Sequence, residues 1–429
     1  MNAEQFSDDA MLDALQRAAF QYFLHATNAD NGLVADTSRD GSPSSIAVCG
    51  FAMSCYPIAV ERGWIAREDA VNRTLMLLRF LRDSDQSGSA EATGFKGLYY
   101  HFLDMNSGKR VWKSELSLID SAILLAGALV AREYFTEDSA RELELRELVD
   151  FLYRRVDWRW SQVHGAAISH GWKPESGFLN YGWEGYSEAI ILYALAMGSP
   201  TLPATGNCYK AWTATYQWEN LYGHDFLYAG PLFVHQFSHA WIDFRNIRDA
   251  FMREKKSDYF ENSKRAVLVQ QKYCELNPHG FAGYGTNEWG LTACDGPADK
   301  MSNVGKHSER LFGYCARGVP YGPDDGTIGG WSALASLPFA PEIAMRAARN
   351  MLAEHPEIIQ TGMYNSSFNA TIAQPDGGAW VSRGHFGLDQ GIVVMMIENY
   401  RSGLIWQLMR KCEYVRNGLT AIGFRGGWL

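Results

Sequence analysis

The chain has 429 residues, a formal charge of −9 and 47 % apolar residues, a composition that fits a large folded body and opposes a nucleic-acid ligand, whose phosphates need a basic face. Its apolar runs are broken by Gly, Ser or charge well short of the about 18 residues a membrane span requires, so no membrane association is expected. Seven cysteines without a C-x-x-C pair suit reduced thiols, and the acidic start lacks the basic and apolar regions of a signal peptide; a cytoplasmic protein is expected, or a periplasmic one if a leader has been removed.

Taken in chain order, polar amphipathic stretches alternate with small-residue, apolar ones. In residues 7–25, Met11, Leu12, Leu15, Ala18, Ala19 and Phe23 recur at the spacing of one buried helix face. A Gly- and Ser-rich loop then runs into an apolar helix near Ser44, followed by an amphipathic stretch at 66–83. A second apolar helix starts near Glu115. Leu116, Ile119, Ile123 and Leu124 line one side of it, while Ala122, Ala126, Gly127 and Ala128 keep it slim. The pattern repeats with 140–155, an apolar helix near Glu184, one near His235, 258–276, one near Thr327, 341–354, one near Asp389, and 403–416. Ser44, Ser114, Ser187 and Asp324 offer N-cap oxygens. Strand signals are sparse, which predicts an all-α fold with minor hairpins in long loops such as 277–326. No linker or low-complexity tract divides the chain, so residues 1–429 are read as one domain.

Six apolar helices alternating with six amphipathic ones are what an inner and an outer ring need, and slim inner helices can close at interaxial distances of about 8–10 Å. In such a ring the six decorated loops open on one end, which places the chemistry there. Glu115 and Glu184 then occupy equivalent places at successive inner-helix starts. A helix N-terminus lowers a carboxylate's pKa, and desolvation among Trp and Tyr raises it. One protonated and one ionised carboxylate is the requirement of glycosidic hydrolysis.

The runs "SSIAVCGFAMSCYPIAVERGWI", "SELSLIDSAILLAGAL", "NYGWEGYSEAIILYALAMGSP", "PLFVHQFSHAWIDFR", "GYGTNEWGLTACDGP" and "DQGIVVMMIENYRSGLIW" resemble the bacterial glycoamylase-like family. That family contains endo-β-1,2-glucanases and sophorose-releasing relatives, and is similar to the transglycosylase domain of cyclic β-1,2-glucan synthases. The resemblance covers nearly the whole chain. It implies an (α/α)6 toroid that hydrolyses β-1,2-linked glucose chains without a cofactor. By the same analogy it implies a general acid at Glu184, on the loop into the third inner helix, and a base at Asp389, at the last one, acting by inversion.

Each candidate also has a plainer reading. Glu184, flanked by Trp183 and Tyr186 as stacking surface, and Glu115 could simply stabilise helix starts, with Lys113 pairing with Glu115; Asp389 could cap its helix. Asp120, deeper in its helix, suits a buried hydrogen bond as well as substrate contact. Asp324 and Asp325 fit sugar binding or a Pro-Asp-Asp-Gly turn. Glu288, Trp289 and Asp295 read as a rim loop touching glucose units. His235, Gln236 and His239 could contact sugar or be satisfied inside the core. Gln390 follows Asp389 toward the same mouth. Trp112, Trp172, Trp183, Trp289, Trp331 and Trp380, with Tyr181, Tyr284 and Tyr321, lie in the mouth loops, where three or four rings are expected to be exposed to stack on glucose.

No H-E-x-x-H, Cys/His cluster or EF-hand spacing marks a metal, and no G-x-S-x-G marks an α/β-hydrolase. The expected ligand is an oligo- or polysaccharide of β-linked glucose; the oligomeric state stays open. Exo-release of sophorose, transglycosylation and a glycan binder without turnover are the competing readings.

Overall fold

The computed structural model describes residues 7–164, 167–297, 300–304, 307–375 and 377–429. Its helices are α1 Asp8–His25, α2 Ile46–Glu61, α3 Arg67–Asp83, α4 Leu118–Tyr134, α5 Ala140–Arg154, α6 Ile190–Gly198, α7 Cys208–Thr213, α8 Phe237–Trp241, α9 Ala250–Glu254, α10 Tyr259–Leu276, α11 Trp331–Ala335, α12 Pro341–Glu354, α13 Gly387–Arg401, α14 Leu404–Lys411 and α15 Glu413–Ala421. A helix stands in every one of the twelve stretches read from the sequence. The fold is helix-rich. No helix among the described residues is long and apolar enough to cross a membrane.

Two compact units share the chain: Met1–Tyr22, Gln217–His239 and Tyr259–Ser402 form the first, and Phe23–Tyr216, Ala240–Asp258 and Gly403–Leu429 the second. In the second unit, α2 packs on α4. Both helices are buried around nearly their whole circumference. They touch backbone to backbone: a Cβ on Gly127 would collide with the carbonyl of Gly50, and one on Gly50 with that of Ile123. The contact of α6 with α15 uses the same device, Gly198 against Tyr414 and Gly418 against Ala194. Small residues thus set how closely these helices approach. α3 and α5 bury only one side each and pack on each other.

In the first unit, α11 contacts both α13 and α12. Gln16 of α1 donates to the carbonyl of Val394 at 3.0 Å and to Glu398 at 2.9 Å, tying α1 to α13. The hairpins expected within 277–326 are present, with Ala293–Cys294 on Cys315–Ala316 and Lys300–Val304 on His307–Leu311. All seven cysteines are free thiols, and only Cys315 is not fully buried.

Three expectations need correction. The apolar helices start at 46, 118, 190, 237, 331 and 387, and α8 and α11 have only five residues each. The capping oxygens lie elsewhere: Ser117 caps α4 by accepting from the Asp120 N–H, while the caps of α2, α6 and α11 are Ser45, Ala189 and Gly330, none with a side-chain bond. The loops of the second unit also hold a five-stranded antiparallel sheet, in the order Gly94–Phe95, Leu98–Tyr100, Leu116–Ser117, Gly171–Lys173, Gly177–Phe178. Its strands are two or three residues long, too short for a period-two pattern to show in sequence.

Candidate active site

The short strand Leu116–Ser117 pairs with Leu98–Tyr100 on one side and Gly171–Lys173 on the other. That pairing delivers Glu115, His101 and His170 to one place. The Cβ and Cγ of Glu115 lie so close over Gly171 that no side chain could stand there. Glu115 Oε1 is 2.9 Å from Nδ1 of His101, and Asp120 Oδ2 is 3.6 Å from the same nitrogen. Asp120 is held from below: Ser117 Oγ donates to its Oδ2, and the Asp120 N–H returns a bond to Ser117 Oγ at 3.2 Å. Lys113 is exposed, so the pairing anticipated with Glu115 is made by His101 instead.

These neighbours force the carboxyl groups into different states. Burial alone would raise Glu115, but the hydrogen bond and charge of His101 outweigh it and hold the carboxyl below its usual range. Burial disfavours the His101 cation, yet the charge of Asp120 and the bond and charge of Glu115 push His101 up to about 9. His101 is therefore a cation at neutral pH. Two further acids, both missed in sequence, feel this cluster. Burial raises Asp36 to about 6, with His101 opposing and Asp120 reinforcing the shift. Burial raises Glu188 to about 7, with Asp120 adding repulsion. His170 goes the other way, lowered by burial. Its ring stacks on Trp183 at 4.0 Å and 17°.

Glu184 is exposed in the coil before α6 and makes no hydrogen bond among the described residues. Glu188 occupies the turn directly before that helix. Trp183 is buried, and Tyr186 meets Tyr216 edge to face at 5.8 Å. One nitrogen and two oxygens from His101, Glu115 and Asp120 lie within 4.8 Å of one another, a span that would suit a metal ion. The protonated imidazole already supplies the positive charge these carboxylates attract.

Comparison with known proteins agrees with the helix-rich fold. The Glycoamylase family model, described provisionally as glucoamylase, matches residues 180–413. The chain belongs to this family. A Bacteroides uniformis protein, provisionally described as a glucoamylase, is 30 % identical and superposes with a TM-score of 0.88 over 99 % of both chains. An endo-β-1,2-glucanase from Chitinophaga pinensis, solved with sophorotriose and glucose, is 27 % identical with a TM-score of 0.84 over 99 % of this chain and all of that one. An exo-β-1,2-glucooligosaccharide sophorohydrolase of Parabacteroides distasonis is 29 % identical; the alignment takes in 97 % of this chain but only 58 % of that protein's length.

The other sequence candidates of this Glycoamylase-family chain lie in the first unit, and most are buried and bonded. His235 is buried with Nε2 3.1 Å from the Ala229 carbonyl, and burial lowers it to about 4. Gln236 donates to Ser332 and Ser336, and His239 Nε2 is 3.0 Å from Ser263 Oγ. Asp325 forms a two-point ion pair with Arg317 at 2.7 and 2.8 Å, with neither side chain exposed. Asp324 accepts from the hydroxyls of Tyr273 and Tyr284 at 2.8 and 2.6 Å. Buried Glu288 accepts from Asn350 at 3.0 Å and faces His355 at 3.4 Å.

Trp289 and Trp331 are core residues, and Gln390 donates to the Tyr364 carbonyl at 2.9 Å. Asp295 is partly buried and uses its backbone, accepting from Ser367 at 2.6 Å. Trp380 is partly exposed beside Glu357, Gln374 and Arg383. Asp389 is buried in the first turn of α13, whose N-cap is Phe386. Of the nine rings named from the sequence, Trp112, Tyr181 and Tyr321 are the exposed ones.

Proposed function

We propose that this chain is a glycoside hydrolase acting on β-1,2-glucan or its sophoro-oligosaccharides, built as a single (α/α)6 toroid and using carboxyl groups without a cofactor. The observation that carries the reading is the split within one cluster. Glu188, which feels the charge of Asp120, stays protonated up to about pH 7, while Glu115, bonded to the His101 that Asp120 also faces, is kept ionised. Opposed environments for two carboxyls are how one site supplies both an acid and an ionised partner. The substrate comes from the Chitinophaga and Parabacteroides relatives, and the toroid from the alternation of six apolar with six amphipathic helical stretches.

In this reading Glu188, rather than Glu184, donates its proton to the glycosidic oxygen as the C–O bond breaks. Glu115 offsets the positive charge developing at the anomeric carbon and takes a proton from the attacking water. The oxygen of water ends on the anomeric carbon, the sugar leaves as an alcohol, and inversion is the stereochemical outcome. Asp120 and His101 fix Glu115 in place.

The test is reducing-sugar release from the purified protein on β-1,2-glucan, laminarin, cello-oligosaccharides and starch in parallel. Release from β-1,2-glucan alone supports the reading; release from starch alone overturns the substrate, and binding without release on every glycan overturns catalysis. The time course distinguishes modes: mixed mid-sized products mean endo cleavage, sophorose alone means exo cleavage, and longer chains mean transfer. The anomer formed first, read by NMR, decides inversion.

A further inference from the structure

Two contact paths lead outward from Glu115, and each ends in an aromatic ring held in solvent. On the first, the His101 ring lies flat on Phe102 at 3.9 Å and 11°, and Phe102 carries Trp112 at 5.1 Å and 59°. Trp112 is 68 % exposed. On the second, Glu115 packs over Gly171, whose neighbour His170 donates its backbone N–H to the Tyr181 carbonyl at 2.9 Å and sets its ring 6.3 Å from the Tyr181 ring. Tyr181 is 72 % exposed. Large rings so placed give up the burial that normally fixes an aromatic side chain.

The turn that presents Trp112 adds an independent sign. The Ser114 N–H bonds to the Val111 carbonyl at 3.0 Å, closing a four-residue turn whose central residues, Trp112 and Lys113, have φ of 57° and 50°. Both values are left-handed, the pattern of a type I′ turn, where Asn-Gly is the preferred pair because other side chains are strained there. Here a Trp and a Lys occupy those places. Backbone strain that neither packing nor propensity explains concentrates at ligand sites.

We propose that Trp112 and Tyr181 are stacking platforms for two glucosyl units of the substrate, held on the two flanks of the Glu115 cluster. A glucose ring offers an apolar C–H face to an indole or phenol, while its hydroxyls need polar partners, which the neighbouring histidines and carboxylates provide. Removing one platform uncovers one sugar face and leaves the acids untouched. This inference rests on the hydrolase reading above.

The experiment compares wild type with Trp112→Ala, Trp112→Phe, Trp112→Gly, Tyr181→Ala and Tyr181→Phe on β-1,2-gluco-oligosaccharides of graded length. Each alanine variant should raise KM about ten-fold, the worth of one buried ring face, with kcat within about three-fold, and each Phe variant should keep most of the affinity. Trp112→Gly relaxes the turn, so it should raise the melting temperature while still raising KM. A ring that merely props the loop would lower both stability and rate. Unchanged KM in Trp112→Ala and Tyr181→Ala of an active enzyme overturns the proposal, as does a change in sedimentation showing that Trp112 joins two copies of the chain. A wild type inert on all glucans, whose tryptophan fluorescence is quenched by these oligosaccharides but not after Trp112→Ala, would instead overturn hydrolysis and keep the platforms.

Discussion

Glu184 and Glu188 stand four residues apart before α6, yet the first is exposed and the second is partly buried, and desolvation lifts it to about 7. A carboxyl raised to about 7 still carries its proton near neutral pH, as a general acid must. Glu188→Gln is therefore expected to lower kcat on β-1,2-glucan by about three orders of magnitude or more, within the range ascribed to acid catalysis. Glu184→Gln should stay within a few-fold of wild type. Assay of both variants under one condition decides between them, and the reverse ranking would return the acid to Glu184.

The same enclosure sets a pH dependence. A carboxyl whose folded pKa is raised binds more protons folded than unfolded, so stability falls as pH rises from the unfolded value near 4.5 through the folded value of about 7. Asp36, raised to about 6, adds the same slope between its unfolded value and 6. Rate should follow, with kcat/KM declining on the alkaline side around pH 7. Glu188→Gln removes the buried charge and should stabilise the fold by about 1–3 kcal/mol at pH 8, with little effect at pH 4. Chemical denaturation at the two pH values checks it; equal stability changes at both would separate Glu188 from this titration.

His101 works on the other limb. With His101→Asn, Glu115 loses its cation and burial is left to act, so the pH at which Glu115 ionises should rise. The acidic limb of the kcat/KM profile should move upward. The linkage has two signs. Glu115, depressed when folded, contributes stability above its unfolded pKa that is lost as pH falls through its folded pKa. His101, raised to about 9, contributes stability present below about 6.5 and lost as pH rises through 9. The variant should lose both, leaving a flatter stability profile at its two ends. An unmoved acidic limb would remove His101 from any part in positioning Glu115.

What the sequence makes legible follows from how far each signal reaches along the chain. Helix periodicity is local, so five of the six amphipathic stretches are recovered nearly residue for residue, while 403–416 is divided between Leu404–Lys411 and the start of Glu413–Ala421, and the small residues of α4 announce the close contact made at Gly127. Glu115 is legible because a helix start follows within three residues. Asp36 and His101 are not, because they reach Glu115 and Asp120 only through loops and strands of two or three residues. Glu188 is hidden in the sequence for a definite reason. The aromatic residues around Glu184 point to a helix start there, but α6 begins at Ile190, which puts Glu188 in the turn that enters it. Burial of His235, Gln236 and His239 depends on partners such as Ser332 and Ser263, far along the chain, which spacing alone does not reveal.

Arg317 and Asp325 allow a last test that separates scaffold from chemistry. Both side chains are fully buried, and Arg317 also donates to the carbonyls of Cys294, Phe312 and Gly313, so one guanidinium ties the base of the 293–316 hairpin to the turn carrying Asp324. Removing one member strands a buried charge, which costs about 3–5 kcal/mol, whereas replacing both with apolar side chains of similar volume removes the charge and its desolvation together. Arg317→Met and Asp325→Leu should each lower the denaturation midpoint strongly, and the double variant should recover part of the loss, since the carbonyls of Cys294, Phe312 and Gly313 and the N–H groups of Phe312 and Thr327 still lose these partners. If Asp325 serves only this scaffold, the refolded double variant keeps KM for β-1,2-gluco-oligosaccharides within about three-fold, less than the loss of one good hydrogen bond to substrate. A double variant that regains stability but has a much larger KM would place Asp325 in sugar binding after all.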